Sequence, residues 1–221
     1  IHERLVGSEM CIRDRLSVCN TYNDYCFPMI GLHPTSVNAD YEKELEIVAR
    51  ELKSFNKYIA IGEVGMDLYW DKTFLKEQQI VLDKQINWAL EYDLPVVIHC
   101  RDAFGYIYNV LEPYKNTSLK GVFHSFTGTD DEAARILEFS GFLIGINGVV
   151  TFKKSRLPEV LTKIPLEKIV LETDSPYLTP VPNRGKRNES VYVKDTLMKV
   201  SDIYRMSPEA VGRVTSENAL K

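Results

Sequence analysis

What this chain lacks narrows what it can be. No apolar run approaches the about 20 residues that a membrane-spanning helix needs, so no membrane role is expected. The opening residues, Ile1-His2-Glu3-Arg4-Leu5-Val6-Gly7-Ser8-Glu9, lack the apolar core of a signal peptide, and a cytoplasmic setting is expected. Cysteine is sparse. Cys11, Cys19, Cys26 and Cys100 form no C-x-x-C pair, so neither a thiolate zinc site nor a dithiol redox motif is indicated. Strong charge of one sign is also missing. A net charge of -4 argues against a surface that coats polyanions in general, yet permits a local basic patch. Low-complexity tracts, linkers and a visible domain boundary are absent too.

What is present is a repeated pattern. The 221 residues suffice for one sizeable α/β domain. Ile59-Ala60-Ile61-Gly62-Glu63, Pro95-Val96-Val97-Ile98-His99, Gly121-Val122-Phe123-His124 and Lys168-Ile169-Val170-Leu171-Glu172-Thr173-Asp174 are short apolar runs that each end in a metal-binding side chain. Such runs read as buried strands of a parallel sheet. In α/β folds, ligands and chemistry gather at the carboxyl ends of such strands.

Helical patterns alternate with these strands. Phe27 to Leu32 reads as the first strand and Gly141 to Ile146 as another, giving six in all. Helices are expected over Asp40–Lys57, Asp71–Asp93, Phe104–Tyr114, from an N-cap at Thr129 and Asp130 through Glu138, and near Arg156–Lys163. Two more close the chain, the last beginning at Ser207-Pro208. Consecutive βαβ units imply a parallel sheet. Ligand-type residues at strand after strand fit a ring better than a doubly wound sheet. The fold expected is a TIM-type (β/α)₈ barrel.

Glu63, His99, His124 and Asp174 together suggest one shared cation site, since carboxylates and imidazoles suit zinc, manganese or similar ions. Asn183-Arg184-Gly185-Lys186-Arg187-Asn188 gathers three cations around a glycine after the last strand. Arg184, Lys186 and Arg187 there suit a phosphate backbone. Tyr69, Trp70 and Tyr177 follow strand ends, where they could stack on unpaired bases or pack the rim.

Gly31-Leu32-His33-Pro34, Gly62-Glu63-Val64-Gly65-Met66-Asp67, Ile98-His99-Cys100-Arg101-Asp102-Ala103, Phe123-His124-Ser125-Phe126-Thr127-Gly128, Leu171-Glu172-Thr173-Asp174-Ser175-Pro176 and Arg184-Gly185-Lys186-Arg187-Asn188-Glu189 resemble the TatD family of metal-dependent deoxyribonucleases. The motifs keep the family's order and spacing from Leu16 onward. The resemblance implies a metal-dependent hydrolase of phosphodiester bonds, a 3′-5′ exodeoxyribonuclease on single-stranded DNA. It implies two divalent cations, magnesium, manganese or zinc, and no obligate protein partner. By the same resemblance, Glu63 bridges two metals, His99 and His124 hold one, and Asp174 holds the other while orienting or deprotonating the attacking water. His33 lines the pocket, or is a hydrogen-bonded loop histidine. Arg101 and Asp102 brace a strand end or the substrate phosphate.

Two departures from the family matter. The family's first strand carries a His-x-His pair that is missing here, where the only histidines are His2, His33, His99 and His124. The expected domain therefore spans 16–221 and lacks the first two barrel strands. Residues 1–15 match nothing in the family and read as a spurious start. Such a chain is expected to have open sheet edges, to associate readily, and to hold at most one metal well. Two other functions stay open. One is a related metal barrel acting on an amide or ester, such as an aminoacyl-tRNA. The other is a catalytically impaired fragment.

Overall fold

The computed structural model describes residues 9–54 and 57–221. The expected spurious start lies partly outside them, and from Glu9 the chain forms helix α1, Glu9–Thr21. The chain divides into two units, Ile1–Gly121 and Val122–Lys221. Among the described residues no helix is long and apolar enough to cross a membrane.

The first unit holds α2 (Tyr41–Ser54), β1 (Ile61–Asp67), α3 (Leu75–Glu91), β2 (Val96–Arg101) and α4 (Phe104–Leu111). The expected strand at Phe27–Leu32 is only a single parallel bridge, Ile30 to Ile61. The Pro28 carbonyl accepts from Ile59 N at 3.0 Å, but its nitrogen has no hydrogen to return. β1 also runs on to Asp67 rather than ending at Glu63. Its pairing with β2 is parallel, and the register slips between Gly62 and Val64, which makes Glu63 the extra residue of a bulge. Bulges re-aim a side chain without ending the strand. Gly65 opposes His99 with φ +139°, and an added Cβ would lie 2.0 Å from the His99 carbonyl oxygen. Only glycine fits that approach.

Helix α3 buries Gln78, Val81, Leu82, Gln85, Ile86 and Ala89, a stripe at helical period. Ile80 is exposed, while two glutamines lie in this stripe. Both are fully used. Gln85 accepts from Leu32 N at 2.6 Å and donates to Leu32 O at 3.2 Å. Gln78 accepts from Asp67 N at 2.9 Å and donates to Asp67 O at 3.3 Å. One helix face thus pins the backbone beside His33 and the backbone of Asp67. Leu32, Val37, Leu45 and Val81 make the adjoining core. Of the expected helix Asp40–Lys57, the part past Ser54 reaches residues that are not described.

The second unit carries β3 (Gly121–Phe123, starting at the division), α5 (Asp130–Leu137), β4 (Phe142–Ile146), α6 (Leu157–Leu161), β5 (Ile169–Leu171), α7 (Val193–Tyr204) and α8 (Pro208–Ala219). β4 and β5 pair in parallel. Thr129 and Glu132 complete a capping box on α5, which satisfies backbone donors at its start. Ser207 caps α8 as expected, with Pro208 at the first helical position. Near the far end of α8, Asn218 Nδ2 donates to Leu166 O at 2.9 Å and Ile169 O at 2.8 Å, fixing the entry to β5.

Candidate metal centre

Each unit contains a histidine held between two carboxylates. In the first, His99 projects from β2 and Glu63 and Asp67 from β1. His99 Nδ1 lies 3.4 Å from Glu63 Oε1, and His99 Nε2 lies 3.0 Å from Asp67 Oδ2. Asp67 is buried, and its Oδ1 accepts from Tyr69 N at 3.1 Å. Burial pushes Asp67 up, but the hydrogen bonds from His99 and Tyr69 outweigh it and leave Asp67 below the usual carboxylate range. Burial likewise pushes His99 down, and its bonds to Asp67 and Glu63 more than offset this, so it is raised. An ionised carboxylate can only accept. His99 Nε2 therefore carries the hydrogen, which leaves Nδ1 facing Glu63.

His33 joins this group. Its Nε2 lies 3.8 Å from Glu63 Oε2, and its ring meets that of His99 edge-on at 4.6 Å. His33 Nδ1 is turned away, where Thr35 Oγ1 lies at 2.8 Å. Ligand atoms of His33, Glu63 and His99 all lie within 4.8 Å of one another, a set able to hold a cation. Imidazole with carboxylate suits zinc, manganese and, more weakly, magnesium.

In the second unit, His124 follows β3 directly and Glu172 follows β5 directly. His124 Nδ1 lies 3.0 Å from Glu172 Oε2, and His124 Nε2 lies 3.4 Å from Asp174 Oδ1. The other Glu172 oxygen accepts from Ser125 N. Ser125 Oγ accepts in turn from Asn147 Nδ2 at 2.6 Å. Gly145 makes room: a Cβ there would lie 2.6 Å from Glu172 Oε1. Asp174 is more open than its partners, with a side chain 35 % exposed.

The structure thus brings His33, Glu63 and His99 together, and separately His124 with Asp174. Sequence reading missed Asp67 and Glu172, the outer partners of the two histidines. Strand parity could have found Asp67, which shares a face with Glu63 four residues earlier. Asp102 is exposed with φ +52° and makes no ion pair among the described residues. The Arg101 guanidinium lies 3.8 Å over the Tyr69 ring. In the basic loop Arg184, Lys186 and Arg187 are exposed, and Arg184 lies 3.8 Å over the Phe152 ring. Thr179 Oγ1 donates to Lys186 O, and Asn188 Nδ2 to Tyr177 O, both at 2.5 Å, which ties the loop down.

A family model described as TatD related DNase matches residues 7–221. The uncharacterized metal-dependent hydrolase YabD of Bacillus subtilis is 37 % identical over 197 residues, 89 % of this chain and 76 % of the relative. A protein of Pantoea ananatis named 3′-5′ ssDNA/RNA exonuclease TatD is 32 % identical over 210 residues, 92 % of this chain and 80 % of the relative. The crystal structure of YJJV, a TatD homologue from Escherichia coli, superposes with a TM-score of 0.83 at 27 % identity, covering 93 % of this chain and 79 % of that one. The parallel βαβ succession, the two braced histidines and these likenesses agree: the chain belongs to the TatD family of metal-dependent hydrolases and has its TIM-type barrel fold.

Proposed function

We propose that this chain cleaves phosphodiester bonds of single-stranded DNA from the 3′ end, with magnesium, manganese or zinc as the metal, in the cytoplasm. The observation that carries the reading is the pair of carboxylate–histidine–carboxylate arrangements, Asp67–His99–Glu63 and Glu172–His124–Asp174. In each, the outer carboxylate takes one ring hydrogen and turns the other ring nitrogen toward the inner carboxylate. That is how outer partners orient metal-ligating histidines. Glu63 and His99 in the first unit, and His124 and Asp174 in the second, are the proposed ligands, with His33 beside Glu63.

A bound divalent cation supplies Lewis acidity, which polarises a phosphoryl oxygen and makes water more acidic. The remaining work falls to the chain. Asp174, the most open of the ligand set, orients the attacking water and takes its proton. Glu63 contributes charge that balances the cation. Arg184, Lys186 and Arg187 hold the substrate's phosphates. The exonuclease relatives support a nucleic-acid substrate.

Manganese-dependent release of mononucleotides, read as stepwise shortening of 5′-labelled single-stranded DNA, tests the reading. Release should stop with a chelator and fall roughly 100- to 10,000-fold, the range for loss of a positioned acid or base, in Glu63→Ala and Asp174→Ala. Hydrolysis of an aminoacyl ester or an amide without nucleotide release would place the chain on a carbonyl substrate instead.

A further inference from the structure

Tied to His99 through the Asp67 carboxylate lies an aromatic group that the proposed catalysis does not use. Tyr69 and Trp70 come after β1, separated from it by the buried Leu68, and are 50 % and 78 % exposed. Their rings meet edge to face at 4.6 Å and 90°. The Arg101 guanidinium lies 3.8 Å from the Tyr69 ring centroid and 5.7 Å from that of Trp70. No ion pair engages Arg101 among the described residues. The segment is held rather than loose. Tyr69 N donates to Asp67 Oδ1 at 3.1 Å, and Leu68 N to Arg101 O at 2.9 Å. The Asp67 carboxylate that fixes Tyr69 also fixes His99 through its other oxygen, at 3.0 Å. The platform and the metal-facing histidine therefore share one anchor.

An indole that is 78 % exposed leaves apolar surface in water unless something covers it. The neighbouring cation and the phosphodiester chemistry indicate what that is. We propose that Trp70, with Tyr69 and Arg101, forms a nucleobase subsite: the Trp70 face stacks on an unpaired base, and Arg101 meets the adjoining phosphate. The proposal rests on the nucleic-acid reading of the site and gives it a specificity. A base paired in a duplex has its faces covered by its neighbours, so the subsite selects single strands.

The test is binding, measured by anisotropy in magnesium with fluorescein-labelled phosphorothioate strands that resist cleavage. One strand is oligothymidylate, and the other is an abasic strand of equal length. Trp70→Ala should bind oligothymidylate roughly 5- to 100-fold more weakly, the range for one lost base stack, and the abasic strand as the wild type does. Arg101→Gln should weaken both strands alike. Equal losses on both strands for Trp70→Ala, no loss on either, or a wild type that binds the two strands equally would each overturn the subsite. Wild-type hydrolysis of bis(p-nitrophenyl) phosphate with manganese tests the catalytic reading separately. Failure there, with the binding contrast intact, would remove the nuclease proposal and leave the subsite standing.

Discussion

Asp67 holds His99 from behind: its Oδ2 lies 3.0 Å from His99 Nε2, while Glu63 Oε1 faces the opposite ring nitrogen at 3.4 Å. Glu172 does the same for His124 with the two ring nitrogens exchanged. The chemistry asks only that one nitrogen be hydrogen-bonded outward and the other face inward, and two different local geometries meet that need. Asp67→Asn should therefore act on the metal rather than on the fold. An amide keeps a carbonyl oxygen for Tyr69 N but offers His99 Nε2 a donor, which favours hydrogen on Nδ1, the ligating position. Manganese affinity by isothermal titration should fall about 10- to 100-fold, the usual loss for an outer partner. Glu172→Gln should behave likewise. An unchanged affinity in both would show that packing alone sets the rings.

Much of this was legible beforehand, and the gaps have physical causes. The strand-and-helix alternation, the caps at Thr129 and Ser207, and His124 directly after β3 all follow from local pattern, whereas β2 runs two residues past His99 to Arg101. The strand at Phe27–Leu32 failed because periodicity does not register the hydrogen that Pro28 lacks. Glu63 was misread as a strand end because a bulge is set by register with β2, which a single segment does not encode. Nothing in the local pattern marks Gln78 and Gln85 as buried, because their partners, Asp67 and Leu32, lie 11 and 53 residues away. Asp67 and Glu172 sat inside recognised motifs without a role, because their role is a contact with another strand.

Two glycines separate the fold from the site. At Gly65 an alanine Cβ would lie 2.0 Å from the backbone oxygen of His99, at a φ of +139°. Neither can relax easily, and Gly65→Ala should cost at least about 3 kcal/mol of stability, since strained backbone alone costs on the order of 1–3 kcal/mol. Urea unfolding should show a lower midpoint with an unchanged slope. At Gly145 the obstacle is the end of the flexible Glu172 side chain, at 2.6 Å. Gly145→Ala should instead push Glu172 off His124 and weaken metal binding about 10-fold, with little change in the urea midpoint.

Alkaline pH should loosen the second unit through Tyr204. Its hydroxyl points at two carbonyls, Leu161 O at 2.9 Å and Ile164 O at 2.7 Å. Burial, with a smaller contribution from Glu167, raises its pKa well above the ordinary 10.0. The folded state therefore keeps the proton where the unfolded chain has lost it. The stabilisation is complete below the ordinary value and is lost as pH rises through the folded one. Tyr204→Phe should lose about 1 kcal/mol at neutral pH, one buried hydrogen bond's worth, and should show a shallower decline in stability above about pH 10 than the parent. Parallel declines would assign the alkaline transition elsewhere.

The basic loop makes a prediction that salt reads directly. Arg184, Lys186 and Arg187 are exposed, and Arg184 is steadied by its 3.8 Å stacking over Phe152. Each cation that displaces a counterion from a single strand adds about 0.7 to the dependence of log affinity on log salt. Replacing all three by alanine should therefore lower that slope by about 2, measured by anisotropy across a series of potassium chloride concentrations. Arg184→Lys separates charge from shape. It keeps the charge, so the slope should hold, but it loses the planar group that stacks on Phe152 and grips phosphate with two donors. Affinity should then fall at every salt concentration by a constant factor. A slope that does not move in the triple variant would take the loop off the phosphate backbone and leave it a solvated surface turn.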